Sequence, residues 1–159
     1  MQTAAILGTG LIGSSIGLGL RAAGWWVSGW DPDRAVADRA SERGAIDEVS
    51  PDADSAVAAP LDLVVLAGPP GAIVSAVRTL SVPGLVIDVA GVKAPIVAAA
   101  RTTRFVGTHP MAGRESTGPD AASAALISGA AWVCLLYTSD AADDRYKVVL
   151  GGGGGWVRP

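Results

Sequence analysis

The chain has 159 residues, is 50% hydrophobic and 17% charged, and carries a formal net charge of −3 with a pI near 5.0. That length suits one domain with a real core, the apolar content is too high for a disordered chain, and the mild acidity offers no basic field to a nucleic-acid backbone. A single cysteine, Cys134, excludes an internal disulfide framework and a paired-thiolate metal site, no apolar run reaches the roughly 18 residues of a membrane span, and Met1-Gln2-Thr3 lacks the basic start of a secretory signal. A soluble cytoplasmic domain without a metal, membrane or nucleic-acid partner is therefore expected.

Residues Thr3 to Leu7 form a short apolar run ending at Gly8, the pattern of a strand buried on both faces. Leu11 to Ala23 follows with Ile12, Ile16 and Leu20 at helical spacing, and Gly24 supplies a stop. Trp25 to Trp30 reads as a second strand whose tryptophans serve packing. Asp31-Pro32-Asp33 then turns the chain into a helix from Arg34 to Arg43, ended by Gly44. A third strand is expected around Ile46 to Val49, followed by a brief helix capped by Asp54 and reaching Ala59.

Leu61 to Ala67 is the clearest strand pattern, and Gly68-Pro69-Pro70 stops it. A helix over Ala72 to Leu80, a strand over Leu85 to Val89 and a helix from Pro95 to about Ala100 come next. Phe105 to Gly107 reads as a brief strand, Thr108 to Asp120 as a polar loop, and Ala121 to Ser128 as a helix. Ala131 to Leu135 is the last strand, with Cys134 as a buried small hydrophobe. Strand and helix alternate throughout, so the expected fold is α/β, a doubly wound and mainly parallel sheet, in one domain over residues 1–135.

Residues 136–159 differ in kind. A polar run leads to Val148-Val149-Leu150 and then to five glycines, Gly151 to Gly155, which cost much entropy to order, so this tail is expected to pack poorly. The string Leu135 to Asp144 resembles translated sequencing-adapter read-through at the end of a gene fragment, and a natural linker is the alternative. No function is read from it.

The chemistry begins at Gly8-Thr9-Gly10-Leu11-Ile12-Gly13, a G-x-G-x-x-G between an expected strand and an expected helix. In a Rossmann-type dinucleotide site Gly8 permits the tight turn, Gly10 lets a pyrophosphate approach the backbone, and Gly13 lets helix and sheet pack closely. Amides at the helix N-terminus then meet the phosphate charge. A Gly-rich connecting turn is the plain alternative. Asp31, at the end of the second strand, can accept both adenosine ribose hydroxyls and repel a 2′-phosphate, which favours NAD over NADP, although Arg34 nearby leaves room for NADP. The same Asp31 could instead cap the following helix.

Gly68 and Pro69 end a strand on the ligand side of such a sheet, and Asp88-Val-Ala-Gly-Val-Lys93 does the same further along. Lys93 could hold an anionic group or simply be a solvated lysine at a helix start. His109, the one histidine, follows a strand in a polar segment, where an imidazole can take a proton near neutral pH or merely be exposed. Arg114 and Glu115 could pair with each other at the surface or line the same pocket.

Gly8 to Gly13, Asp31, Asp88 to Lys93, and above all Gly107-Thr-His-Pro-Met-Ala-Gly-Arg-Glu115 with Gly118 and Trp132, resemble the nucleotide-binding half of the prephenate/arogenate dehydrogenases over roughly residues 3–135. The resemblance implies a tyrosine-biosynthetic oxidoreductase using NAD, with His109 as the catalytic residue. In that family the histidine hydrogen-bonds the ring 4-hydroxyl of the substrate while hydride leaves the same carbon, and loss of carbon dioxide aromatises the ring. Glu115 and Arg114 would belong to the substrate pocket. Gly8 to Gly13, Asp31, Gly68, Pro69 and Lys93 would hold the cofactor.

Two departures stand out. Gly91 occupies the place where the family usually has serine, and the family's second, all-helical domain, which forms a homodimer and closes the pocket with basic residues, has no counterpart here. The chain alone is then expected to bind cofactor without turning substrate over. A 3-hydroxyacid dehydrogenase relative and a non-catalytic NAD-binding or sensing module are the competing readings, since the fold alone does not set function.

Overall fold

The computed structural model describes residues 1–101, 104–135 and 146–150. Eight strands lie in the order β3-β2-β1-β4-β5-β6-β7-β8. They are β1 (Thr3–Leu7), β2 (Trp26–Trp30), β3 (Glu48–Val49), β4 (Leu63–Leu66), β5 (Leu85–Asp88), β6 (Phe105–Pro110), β7 (Ala131–Leu135) and β8 (Tyr146–Leu150). The first six pair parallel, and β7 and β8 are added antiparallel. The helices are α1 (Leu11–Ala22), α2 (Arg34–Glu42), α3 (Ala53–Ala56), α4 (Pro70–Thr79), α5 (Ala94–Ala99) and α6 (Ala124–Ile127), with a 3-10 turn at Pro119–Ala121.

Period-two alternation divides the core between the two faces of the sheet. Ala5 and Leu7 of β1, with Val64 and Leu66 of β4, join Ile73 and Val77 of α4 and Ile96 of α5. Ala4 and Ile6, with Val65, face the other way onto Ile16 of α1, Ala40 of α2 and the buried Ile46. Burial on both faces is why these strands read as continuous apolar runs. After β3 the chain crosses back to place β4 beside β1, so the order reverses between β1 and β4. The crevice at the carboxyl ends of these strands is where such sheets bind ligands.

Local details depart from expectation for identifiable reasons. The α3 cap is Asp52, whose side chain accepts from Ser55 N–H at 2.7 Å, and Asp54 lies inside the helix. That backbone bond holds the Asp52 carboxyl below the ordinary aspartate range. Helix α4 starts at Pro70, because a first-turn proline needs no amide partner. Strand β6 runs on past Gly107 to Pro110, held by antiparallel β7 through Thr108↔Cys134 and His109↔Val133. The expected helix over Ala121 to Ser128 is split, since Ser123 caps α6 by accepting from Ala125 N–H at 3.2 Å. The backbone of Tyr146–Leu150 pairs along β7; the burial of Tyr146 and Trp156, on which the tail expectation turns, lies outside the described residues.

Cys134 is half-buried rather than buried, and burial raises its thiol above the usual cysteine range. Because the thiolate is the nucleophile, Cys134 is expected to react with an aromatic disulfide reagent at neutral pH more slowly than free cysteine. Equal rates would contradict that placement. Among the described residues no helix is long and apolar enough to cross a membrane.

Candidate functional site

The three glycines of the first motif stand in three different surroundings. Gly8 adopts φ +101°, and a Cβ there would lie 2.7 Å from the carbonyl carbon and oxygen of Ala67 at the end of β4. A Cβ on Gly13 would lie 1.9 Å from the Gly8 carbonyl oxygen, so α1 can rest on the turn only without a side chain there. Gly10 differs. Its φ of −69° is ordinary and a Cβ would meet nothing within 4 Å. The protein's own packing does not require glycine at this position.

Gly10 is also the N-cap of α1, with no capping side chain and no acidic residue in the first turn. Among the described residues the first-turn amides, from Leu11, Ile12 and Gly13, meet no side-chain oxygen, and the positive end of a 12-residue helix opens at Gly10. Leu11 and Ile12 offer backbone amides at this helix start and have no polar side chains. Thr9 is fully buried, accepts from Ser14 Oγ at 2.7 Å through its carbonyl, and donates its N–H to Asp31 Oδ2 at 2.8 Å. Its hydroxyl has no protein partner among the described residues.

Asp31 is half-buried at the end of β2, and its other oxygen accepts from Asp33 N–H at 3.1 Å. The helix cap is Asp33, which accepts from Ala35 N–H at 3.0 Å, so the capping alternative for Asp31 falls away. A carboxylate offers about four acceptor positions, and two N–H bonds leave room for a pair of hydroxyls. Arg34 points its Nε along α2 to Asp38 Oδ1 at 2.7 Å. Gly68 and Pro69 follow β4 beside this loop, with Gly68 N 2.8 Å from where a Cβ of Gly8 would be.

The other half of the crevice is built by β5 and β6. Asp88 is fully buried and accepts from Thr108 N–H at 3.0 Å, from Ala90 N–H at 3.1 Å and from the Lys93 ammonium. Burial lowers the Lys93 pKa, and the bond to Asp88 opposes that shift. Lys93 is thus neither fully solvated nor free, because its charge is committed to a buried carboxylate.

His109 lies on strand β6 rather than in a loop, half-buried, with Nδ1 3.1 Å from the Val89 carbonyl oxygen. A carbonyl can only accept, so Nδ1 is the donor in this bond, and in the neutral ring the lone pair then lies on Nε2. A Cβ on Gly91 would stand 3.6 Å from His109 Cε1 and 3.8 Å from Nε2. A serine in that place would bring its hydroxyl beside this nitrogen, and here the space is open.

Arg114 and Glu115 are exposed beyond β6, and Arg114 Nη1 donates to the Ala121 carbonyl at 3.4 Å. No ion pair joins the two among the described residues. The segment after them returns across the nucleotide helices. Ser123 N–H donates to Ser15 Oγ at 3.1 Å, and Asp120 accepts from Arg39 of α2 at 2.7 Å. The Arg39 guanidinium holds the Asp120 carboxyl below its usual range. Nothing local in the sequence marks this strap, or the Thr108 bond to Asp88, because both depend on partners far along the chain.

A reversed parallel sheet, a glycine turn onto an uncapped helix and an acidic residue ending β2 together define a Rossmann-type nucleotide-binding domain. Comparison with known proteins makes this particular. The chain belongs to the family described as prephenate dehydrogenase, nucleotide-binding domain, which matches residues 16–149. A Streptomyces niveus protein named "Probable prephenate dehydrogenase NovF" is 35% identical over 144 residues, covering 85% of this chain and 38% of its own.

Among solved structures, prephenate dehydrogenase from A. aeolicus in complex with hydroxyphenyl propionate and NAD+ is 27% identical with a TM-score of 0.77, covering 86% of this chain and 51% of its own. Synechocystis arogenate dehydrogenase is also 27% identical, with a TM-score of 0.72, over 84% and 50%. The chain thus spans about half or less of the length of these relatives. Membership of this family sets aside the 3-hydroxyacid dehydrogenase reading.

Proposed function

We propose that the chain is the cofactor-binding half of an NAD-dependent dehydrogenase that oxidises prephenate or arogenate, in the cytoplasm, on the route to tyrosine. The observation that carries this is His109: Nδ1 bound to Val89 O leaves the Nε2 lone pair available at the same carboxyl edge of the sheet as Gly10 and Asp31. The open side of Gly10, the uncapped start of α1 and the spare acceptor positions of Asp31 fit the pyrophosphate and ribose of a dinucleotide. When bound, NAD would supply the hydride acceptor.

The rest is done by this chain. His109 Nε2 accepts the proton of the substrate ring hydroxyl as that C–O bond becomes a carbonyl and the hydrogen on the same carbon departs with its electron pair. The ring carboxylate then leaves as carbon dioxide, its bonding electrons aromatise the ring, and the imidazolium returns the proton to the phenolic oxygen. Glu115 and Arg114 stand on the segment that would border the substrate. Positioning of reacting groups contributes roughly 7–11 kcal/mol to such a step. By resemblance, the helical domain of the family supplies the pocket roof, the carboxylate-binding cations and a homodimer contact.

Titration tests the cofactor half. NAD is expected to bind this chain more tightly than NADP. Asp31→Ser should weaken NAD by about ten- to a hundredfold, since hydrogen bonds to a charged group are worth about 1.5–3 kcal/mol. Tighter binding of NADP by the unaltered chain would overturn the assignment of Asp31. For the chemistry, the 159-residue chain is expected to form negligible NADH from prephenate, and joining it to the half that its relatives carry beyond it should restore NADH production. Ordinary enzymatic turnover by the chain alone would contradict the division of roles.

A further inference from the structure

The most buried charge among the described residues has no part in the chemistry above. Asp88 ends β5 and is fully buried, yet its carboxylate gathers three donors from two separate segments. Ala90 N–H and the Lys93 ammonium reach Oδ2 from the segment leading to α5, while Thr108 N–H reaches Oδ1 from β6. The Thr108 hydroxyl adds a bond to the main-chain carbonyl of Asp88 itself. Val89 lies between Asp88 and Ala90, so the residues on both sides of it are tied down. Its carbonyl is the group that receives His109 Nδ1.

We propose that Asp88 is a positioning residue that sets the tautomer of His109: by clamping Ala90 and Thr108 it holds the Val89 carbonyl against Nδ1, which keeps the lone pair on Nε2. The proposal rests on the reading of His109 as the proton acceptor. A neutral imidazole carries its proton on one nitrogen, and the hydrogen bond made by the other face of the ring decides which. If the Val89 carbonyl drifts, the proton is free to move to Nε2, where it blocks acceptance of a substrate proton.

The clamp calls for a carboxylate in particular. Both oxygens must accept, because backbone amides approach from two sides, and the NH2 group of an asparagine would meet one of those amides donor to donor. Lys93 balances the charge, without which a buried carboxylate would be costly. The half-buried ammonium, 13% exposed, is thereby explained as the counter-ion of Asp88.

His109 is the one histidine in the chain, so the nitrogen-15 spectrum of its ring reports the tautomer without assignment by mutation. In the unaltered chain, at a pH where the ring is neutral, Nδ1 should appear protonated and Nε2 unprotonated. In Asp88→Asn, shown to be folded by its amide spectrum, the Nε2–H form should become the major one. A folded Asp88→Asn chain that keeps the Nδ1–H form would overturn the proposal. Should that variant not fold, amide hydrogen exchange on the unaltered chain decides: Ala90 and Thr108 should exchange far more slowly than the exposed Gly91 and Val92, and equal rates would overturn the clamp. Neither readout uses substrate or cofactor, so the result stands apart from whether His109 takes a proton in turnover.

Discussion

His109→Asn, in a chain joined to the second half that its relatives possess, is expected to lower kcat by about two to four orders of magnitude, the usual contribution of a placed general base. NAD affinity should stay nearly unchanged. Asparagine can still hydrogen-bond a substrate hydroxyl but cannot take its proton, so the loss falls on the step in which the hydroxyl becomes a carbonyl. The groups assigned to the dinucleotide come from other elements: Gly10 and the start of α1, and Asp31 at the end of β2. Retention of kcat in the variant would show that the proton goes elsewhere. A loss confined to NAD affinity would show that His109 is part of the cofactor bed.

Two glycines of one motif should fail in opposite ways. Gly13→Ala drives a Cβ to within 1.9 Å of the Gly8 carbonyl oxygen, a backbone atom that cannot swing aside. Overpacking of this kind costs about 1–3 kcal/mol and occasionally more, and in a chain of this size the upper end lowers Tm by roughly 5–10 °C. Gly10→Ala meets no protein atom and has a negative φ, so stability should hold or rise by up to about 1 kcal/mol through a stiffer unfolded chain. Its cofactor affinity should nevertheless fall by more than roughly tenfold, because the new methyl occupies the approach to the backbone that a pyrophosphate needs. Thermal melts and NAD titrations on both variants separate the two effects. A stable Gly10→Ala chain with unchanged NAD affinity would place the phosphates elsewhere.

The sheet was readable in the sequence wherever burial on both faces imposes an apolar run, as at Thr3–Leu7 and Leu63–Leu66. Helix ends were readable where a glycine takes positive φ, as at Gly24 and Gly44. What escaped a local reading depends on distant partners. Strand β6 extends to Pro110 because β7 pairs with it, and no pattern at His109 itself announces that. Two aspartates stand two residues apart before and within α3, and only geometry shows that Asp52 makes the cap.

The glycine motif was legible as a motif, but the different demands on Gly8, Gly10 and Gly13 were not, because one residue type answers all three. No motif marks Gly17, although a Cβ there would lie 2.2 Å from the Ala45 carbonyl oxygen, a contact between α1 and the segment before β3. Asp88 stands in the sequence as the first residue of the segment Asp88 to Lys93, with no role of its own legible there. Its importance comes from Thr108, which is far along the chain and adjacent in space.

A structure of the chain with NAD bound, carrying a ring-hydroxyl substrate analogue where the joined form permits it, tests most directly whether Gly10, Asp31 and His109 belong to one site. The expected result has the pyrophosphate over Gly10 at the start of α1, the adenosine ribose on Asp31, and the nicotinamide at the β5–β6 end of the crevice with His109 Nε2 within hydrogen-bond reach of the analogue hydroxyl. A dinucleotide lying away from Gly10, or a nicotinamide on the far side of the sheet edge from His109, would contradict it.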